Sequence, residues 1–374
     1  MPYLLLHPHS RSPRRLAVTA AVAVLAAGAV ALAGCTSAAT STPGTTAAAA
    51  VEITGAGSTF DAPFFTAAFA AYQQAHLGVA VSYAAVGSSA GITRYVARQA
   101  DFGATDVPAS RADLAGANGT TLQVPVDLGA VAVAYNAITN GSGPLRLTGP
   151  VIARIFLGQI TKWDDPAIQA LNPGTALPDA YINVVHRTDG SGTTYIFSNY
   201  LSEVSPAWAS AMGTGRSLRW PTGMGADGNA GVAADVSRIP YSIGYTERSY
   251  VTGTAAVGWA AVQNRAGNYV QPTATAITAD AAGKPAITPD NFSIVNEPGP
   301  ASYPISGYSW ILLSARQPTT AGGKALTALI SWLTHAGQSY AAAIGYVPLP
   351  SAVQQLATAT LARVAGPVGQ PLAG

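Results

Sequence analysis

From residue 51 onward, short apolar runs alternate with longer stretches of mixed character. Residues 79–86, 122–126, 129–135, 181–185 and 308–313 are runs rich in Val, Ile and Tyr, the pattern of buried strands. Residues 64–76, 91–99, 193–204, 230–238 and 324–340 read as helices. This alternation predicts an α/β chain in three layers, with helices on both faces of a sheet. Gly- and Pro-rich linkers are spread through the middle without a single break in composition. That spread fits two lobes joined by more than one crossover. No internal repeat is present.

The N-terminus departs from this pattern. Arg11, Arg14 and Arg15 precede an apolar, acid-free run over residues 16–34. A basic start, an apolar run and small residues before a cut describe an export signal. The run approaches the roughly 20 residues that span a bilayer, so an uncleaved anchor is the competing reading. Leu32-Ala33-Gly34-Cys35 favours the signal, because it resembles the bacterial lipobox, whose cysteine is lipidated and begins the mature chain. At about 0.8 kcal/mol per buried CH₂, two or more acyl chains hold a protein on a membrane stably. Arg14-Arg15 matches the twin-arginine export motif in that pair alone. Residues 1–35 are therefore expected to be a lipoprotein signal peptide. Residues 36–50, all Thr, Ser, Ala, Pro and Gly, are expected to be a flexible tether.

Composition narrows the function classes. Cys35 is the only cysteine, so an exported fold must hold by its core, without an internal disulfide. Apolar residues make up 49% of the chain and charged residues 10%. The formal charge of +2 sits in the signal: without residues 1–35, which carry three arginines and no acid, it becomes −1. No basic patch points to nucleic acid. The five histidines are scattered and no metal-ligand spacing occurs, so neither metal nor cofactor is indicated. The six tryptophans have no repeat spacing and read as core.

Three turns carry the chemistry. Gly55-Ala56-Gly57-Ser58-Thr59-Phe60, Gly87-Ser88-Ser89-Ala90-Gly91 and Asp189-Gly190-Ser191-Gly192-Thr193-Thr194 each place glycines and hydroxyls between a strand and a helix. A helix start leaves N–H groups unpaired and carries partial positive charge, which suits an anion. Arg187, at the end of an expected strand, adds a guanidinium that can hold an oxyanion through two parallel bonds, with Asp189 to orient it. Asp106, ending Asp101-Phe102-Gly103-Ala104-Thr105-Asp106, would repel an anion unless that anion brings a proton. Hydrogen phosphate brings one and sulfate at neutral pH does not, so Asp106 would discriminate between them. Gly87-Ser88-Ser89-Ala90-Gly91 also fits the G-x-S-x-G nucleophile elbow. A secreted serine hydrolase is therefore the rival, with Ser89 as nucleophile and His335 or His186 as base. It lacks an HGGG-type oxyanion motif and a clear acid-then-histidine pair. The glycine-rich stretch 223–231 lacks a P-loop lysine and reads as a loop into a helix.

These turns, with Ile160-Thr161-Lys162-Trp163-Asp164-Asp165-Pro166, Gly213-Thr214-Gly215 and Ile243-Gly244-Tyr245, resemble the phosphate-binding subunit of bacterial ABC-type phosphate importers over residues 51–350. The resemblance implies a type II periplasmic-binding-protein fold, with phosphate buried in a cleft between two hinged lobes. One lobe would hold residues 51–135 plus 305–365 and the other 136–304, with crossovers near Tyr135-Asn136 and Pro304-Ile305. The phosphate ligands would be Thr59, Phe60, Ser88, Asp106, Arg187, Ser191, Gly192 and Thr193, with Asp189 behind Arg187. The chain would be a receptor, not an enzyme, that docks on permease subunits and is held to the membrane through Cys35. His186 stands where some relatives carry a second arginine, and Ala90 where a glycine is common.

Overall fold

Residues 50–136, 143–254 and 257–372 are described by a computed structural model. The expected export signal, Cys35 and the expected tether before Ala50 lie outside them. The first half of the chain builds parallel strands: β1 (Val51–Gly57), α1 (Ala62–Ala75), β2 (Val79–Ala85), α2 (Ser88–Val96) and β3 (Phe102–Thr105). Both β2 and β3 pair with β1 in parallel. The long strand β4 (Thr121–Asn136) follows. After it come β5 (Arg146–Leu147), α3 (Gly149–Phe156), α4 (Pro166–Gln169), β6 (Asn183–Arg187), α5 (Gly192–Val204), α6 (Pro206–Ala211), β7 (Met224–Ala226), α7 (Gly228–Arg238) and β8 (Ser242–Glu247). A 3₁₀ turn (Arg248–Val251) leads to β9 (Val257–Trp259), β10 (Ala261–Gln263), β11 (Tyr269–Val270) and α8 (Ala274–Gly283). The chain closes with β12 (Ser306–Ser314), α9 (Thr320–Thr334), α10 (Gln338–Ala343) and α11 (Ser351–Leu361).

The main sheet runs β2-β1-β3-β12-β4-β8-β6-β7, with β9 on β4. β4 joins its two halves. Up to Ala130 it pairs antiparallel with β12, and from Val131 it pairs antiparallel with β8. The Val131 N–H donates to Ile305 O (2.8 Å) at the point where the returning chain enters β12. This is the expected α/β, two-lobed architecture. β5, β10 and β11 form a small separate sheet.

Three elements differ from expectation. The run 79–86, expected as a buried strand, forms β2 at the sheet edge, where only β1 pairs with it and none of its residues is fully buried. The runs 122–126 and 129–135 are one strand, because Asp127, which reads as a break, is fully buried inside it. The stretch 324–340 is two helices. The chain bends at His335, and Gly337 lies so close to the Trp332 ring that a Cβ would meet it at 2.9 Å. The core holds a buried aromatic group: Phe65 stacks on Phe69 at 4.9 Å, and Phe60 meets Tyr346 edge-on at 6.2 Å. Trp163, Trp208 and Trp310 are fully buried, as their unspaced pattern suggests, while Trp220, Trp259 and Trp332 are half-buried against the core.

Candidate functional site

The turns after β1, β3 and β6 meet the N-termini of α2, α5 and α7 where the two halves of the sheet face each other. Gly57 ends β1 at φ +152 and packs on the backbone of Ala104, an approach that a side chain would block. In the turn that follows, Ser58 Oγ accepts the Phe60 N–H (2.8 Å). Thr59 Oγ1 accepts from both the N–H (3.1 Å) and the Nδ2 (2.9 Å) of Asn229. The Phe60 ring belongs to the core, and only its backbone reaches the turn.

From the other half, Arg187 ends β6 with 3% exposure. Its guanidinium grips Asp189 through two bonds, Nε to Oδ1 (2.6 Å) and Nη2 to Oδ2, and Nη1 points at Thr193 Oγ1 (3.4 Å). Asp189 also accepts the Gly228 N–H (3.2 Å). Ser191 caps α5 by accepting the Thr194 N–H (3.0 Å). The Gly192 N–H crosses to Ser88 Oγ (3.1 Å), and the Ser89 N–H donates to Gly190 O (2.9 Å). Thr59, the Phe60 backbone, Ser88, Asp106, Arg187, Asp189, Ser191, Gly192 and Thr193 are thus brought to one place.

Asp106 follows β3 and is 2% exposed. Its Oδ1 accepts the Ser309 hydroxyl (2.8 Å), while Oδ2 has no donor and lies against Gly192. Burial raises its carboxyl to about 6, against the opposing pull of Ser58, Ser309 and Arg187. Burial likewise raises Glu247 to about 7.

A folded state that binds these protons more tightly than the unfolded chain is most stable below their ordinary values of 3.8 and 4.5. That stability is lost as pH rises through about 6 and about 7. At about 1.4 kcal/mol per tenfold change in proton affinity, each group is worth on the order of 3 kcal/mol. The ligand-free protein is therefore expected to melt at higher temperature at pH 5 than at pH 8, as measured by calorimetry. A melting temperature that rises with pH over this range would contradict the burial of these carboxyls.

Several site residues carry no local signal. Asn229 is fully buried and joins both halves, donating to Thr59 and to Thr193 Oγ1 (3.1 Å) while accepting from the Glu247 N–H (2.9 Å). Its position in a glycine-rich loop that opens α7 was the available cue. Ser309 and Tyr250, whose hydroxyl donates to Thr59 O (2.6 Å), lie far away in sequence. His186 turns from the site and stacks on Trp220 (4.9 Å). His335 ends α9 and bonds to Ser331 O and Thr358. Among the described residues, neither histidine hydrogen-bonds to Ser89.

Comparison with known proteins places this geometry. A PBP superfamily domain matches residues 37–336. The phosphate-binding protein PstS of Pasteurella multocida (strain Pm70) is 42% identical over 305 residues, covering 81% of this chain and 88% of that protein. This chain belongs to the PstS family of phosphate-binding proteins. The PstS of Haemophilus influenzae is 38% identical over 82% of this chain and 91% of its own length. Among solved structures, a phosphate-binding protein from Stenotrophomonas maltophilia superposes with a TM-score of 0.67 at 19% identity, over 86% of this chain and 99% of that one. A putative phosphate ABC transporter substrate-binding protein from Clostridium perfringens, solved with bound phosphate, gives 0.59 at 19% identity, over 80% and 100%. These two likenesses show a shared fold. Within the PstS family, the feature that needs a chemical explanation is the buried Arg187 beside a buried Asp106 carboxyl, one of whose oxygens has no donor.

Proposed function

We propose that this chain binds inorganic phosphate outside the cytoplasmic membrane and delivers it to an ABC-type permease, as a receptor without catalytic activity. One observation carries the reading. Asp106 Oδ2 is a buried acceptor without a donor, set against the N-terminus of α5 beside Arg187. Such an acceptor suits an oxyanion that carries its own proton. Hydrogen phosphate donates to Asp106 and takes donors from Arg187 Nη1, Thr59, the Phe60 N–H, Ser88, and the Ser191, Gly192 and Thr193 turn. In the structure the Phe60 N–H meets Ser58 Oγ in its own turn, Arg187 Nη1 meets Thr193 Oγ1 in its own lobe, and the Gly192 N–H meets Ser88 Oγ across the two lobes, all of them neutral hydroxyl oxygens. Phosphate replaces those bonds with charge-assisted ones, about twice as strong.

The lobes of this clamp are residues 51–135 with 305–365, and 136–304. β4 serves as one crossover and the entry to β12 as the other. Donors come from both lobes, so phosphate favours the closed arrangement and its differential affinity drives closure. No helix among the described residues is long and apolar enough to cross a membrane. Lipid on Cys35, followed by the uncharged tether, supplies the anchor in this reading.

Calorimetry of the purified protein against phosphate, arsenate, sulfate and molybdate tests the proposal. Tight phosphate binding with sulfate at least a thousandfold weaker is expected, since a site built around a hydrogen bond rejects the analogue lacking it by about 10⁴–10⁵. Asp106→Asn should weaken phosphate less than removal of Arg187 does and should narrow the gap to sulfate, because the amide keeps an acceptor and loses the repulsive charge. Turnover of p-nitrophenyl esters without phosphate binding would overturn the receptor reading in favour of the Ser89 hydrolase.

A further inference from the structure

Behind the candidate site lie two carboxyls that the phosphate reading does not use. Asp61 stands at the N-terminus of α1 without making the capping bond to its N–H groups that an aspartate there usually makes. Asp127 lies inside β4. Both are 0% exposed, and none of their four carboxyl oxygens receives a hydrogen bond from an N–H or O–H group. The two side chains meet each other and the Ser309 hydroxyl. Ser309 has one proton, and it goes to Asp106 Oδ1. Two bare carboxylates in contact, away from water and without donors, would cost several kcal/mol each. Among the described residues, no cluster of acids, histidines or cysteines could hold a metal ion in their place.

We infer that Asp61 and Asp127 share a proton in a carboxyl–carboxylate hydrogen bond, and that this proton, acting through Ser309 and Asp106, ties phosphate affinity to pH. The first half of the inference stands on the ligand-free geometry, and the second rests on the phosphate-binding reading. The shared proton gives the pair the donor that the surrounding chain does not provide. Its loss places a second full charge near Ser309 and Asp106, where it opposes an incoming anion. Phosphate therefore binds the protonated pair more tightly, and binding takes up protons.

The neighbours point the same way. Burial raises both carboxyls well above their ordinary value, and each is raised further by the other acids around it: Asp106 after β3 for both, and Glu247 at the end of β8 for Asp127. Tyr83 on β2 and Tyr346 face the pair as neutral phenols, held so by burial and by these same acids, and so does Tyr250 beyond Asp106. The nearby cations are engaged elsewhere, Arg187 with Asp189 and Arg248 with Gly345 O.

Carbon-13 NMR of the ligand-free protein, labelled at aspartate carboxyls and assigned with Asp61→Asn and Asp127→Asn, tests the proton. The expected result is a linked pair of resonances that titrate together, with one proton retained above pH 7. Independent titration of both below pH 5 would overturn it. Affinity for radiolabelled phosphate from pH 6 to 9, in wild type and in the Asp61→Asn, Asp127→Asn double variant, tests the coupling. Wild type should lose at least tenfold more affinity over this range than the double variant, in which the titration of phosphate itself is unchanged. Equal slopes would overturn the coupling. Failure of wild type to bind phosphate at any pH would remove the coupling together with the proposed function, while the NMR result would still decide the shared proton.

Discussion

Replacing Arg187 with alanine is expected to weaken phosphate binding by roughly thirty- to several-thousandfold. The estimate follows from the about 2–5 kcal/mol lost when one member of a buried, hydrogen-bonded charge pair is removed. Arg187 is 3% exposed and spends Nε and Nη2 on Asp189, so Nη1 is the donor left for the site. The variant loses that donor and leaves the Asp189 carboxylate facing an incoming anion, with only the Gly228 N–H to hold it. Arg187→Lys should fall between the two, since it keeps the charge but not the planar fork. Calorimetry measures the loss, and circular dichroism confirms that the variant is folded. A change below threefold would place the anion away from Arg187.

Gly192→Ala should cost roughly five- to 150-fold in phosphate affinity, the equivalent of about 1–3 kcal/mol of overpacking. A Cβ on Gly192 would meet Asp106 Cβ and Oδ2 at 2.5 Å, where the two halves of the site touch. The first turn of α5 accommodates alanine, so the penalty falls on the approach of the halves and not on the helix. Gly190→Ala probes the same approach at a second point: its Cβ would meet the Ser89 Oγ at 2.3 Å and the Ser89 Cβ, which no hydroxyl rotation can move, at 2.4 Å. Its effect on affinity should be of similar size. Equal affinity in Gly192→Ala and wild type, by equilibrium dialysis, would show that Asp106 and Gly192 do not close on each other around the ligand.

The readable part of this site is its local part. Each glycine–hydroxyl turn must place N–H groups, hydroxyls and a helix start within a few residues, so Ser88, Asp106, Arg187 and Ser191–Thr193 are visible in short motifs. The strands that lead to Ser88 and Arg187 are visible too, because they appear as short apolar runs, although β2 lies at the sheet edge and none of its residues is fully buried. Contacts made across the fold leave no such mark. Asn229 reaches Thr59 over 170 residues of sequence, and Ser309 reaches Asp106 over 203. Asp61 and Asp127 were hidden for another reason. A charged residue next to a turn or between apolar runs reads as surface, and only the folded structure shows it sealed inside. The same effect divided β4 into two expected strands. The Phe60 N–H, expected to face the ligand, is held in the structure by Ser58 Oγ, a hydroxyl in its own turn whose acceptor role the motif alone does not reveal.

The central claim is that one tetrahedral anion is held between the two halves of the sheet. A crystal structure of the protein with phosphate tests it most directly. The account predicts the anion between Asp106 Oδ2 and Arg187 Nη1, with the Gly192 and Phe60 N–H groups turned from Ser88 and Ser58 toward its oxygens. Phosphate bound elsewhere, such as in the cavity of about 440 Å³ beside Arg98 and Arg316, with the Asp106–Arg187 site unchanged, would contradict it.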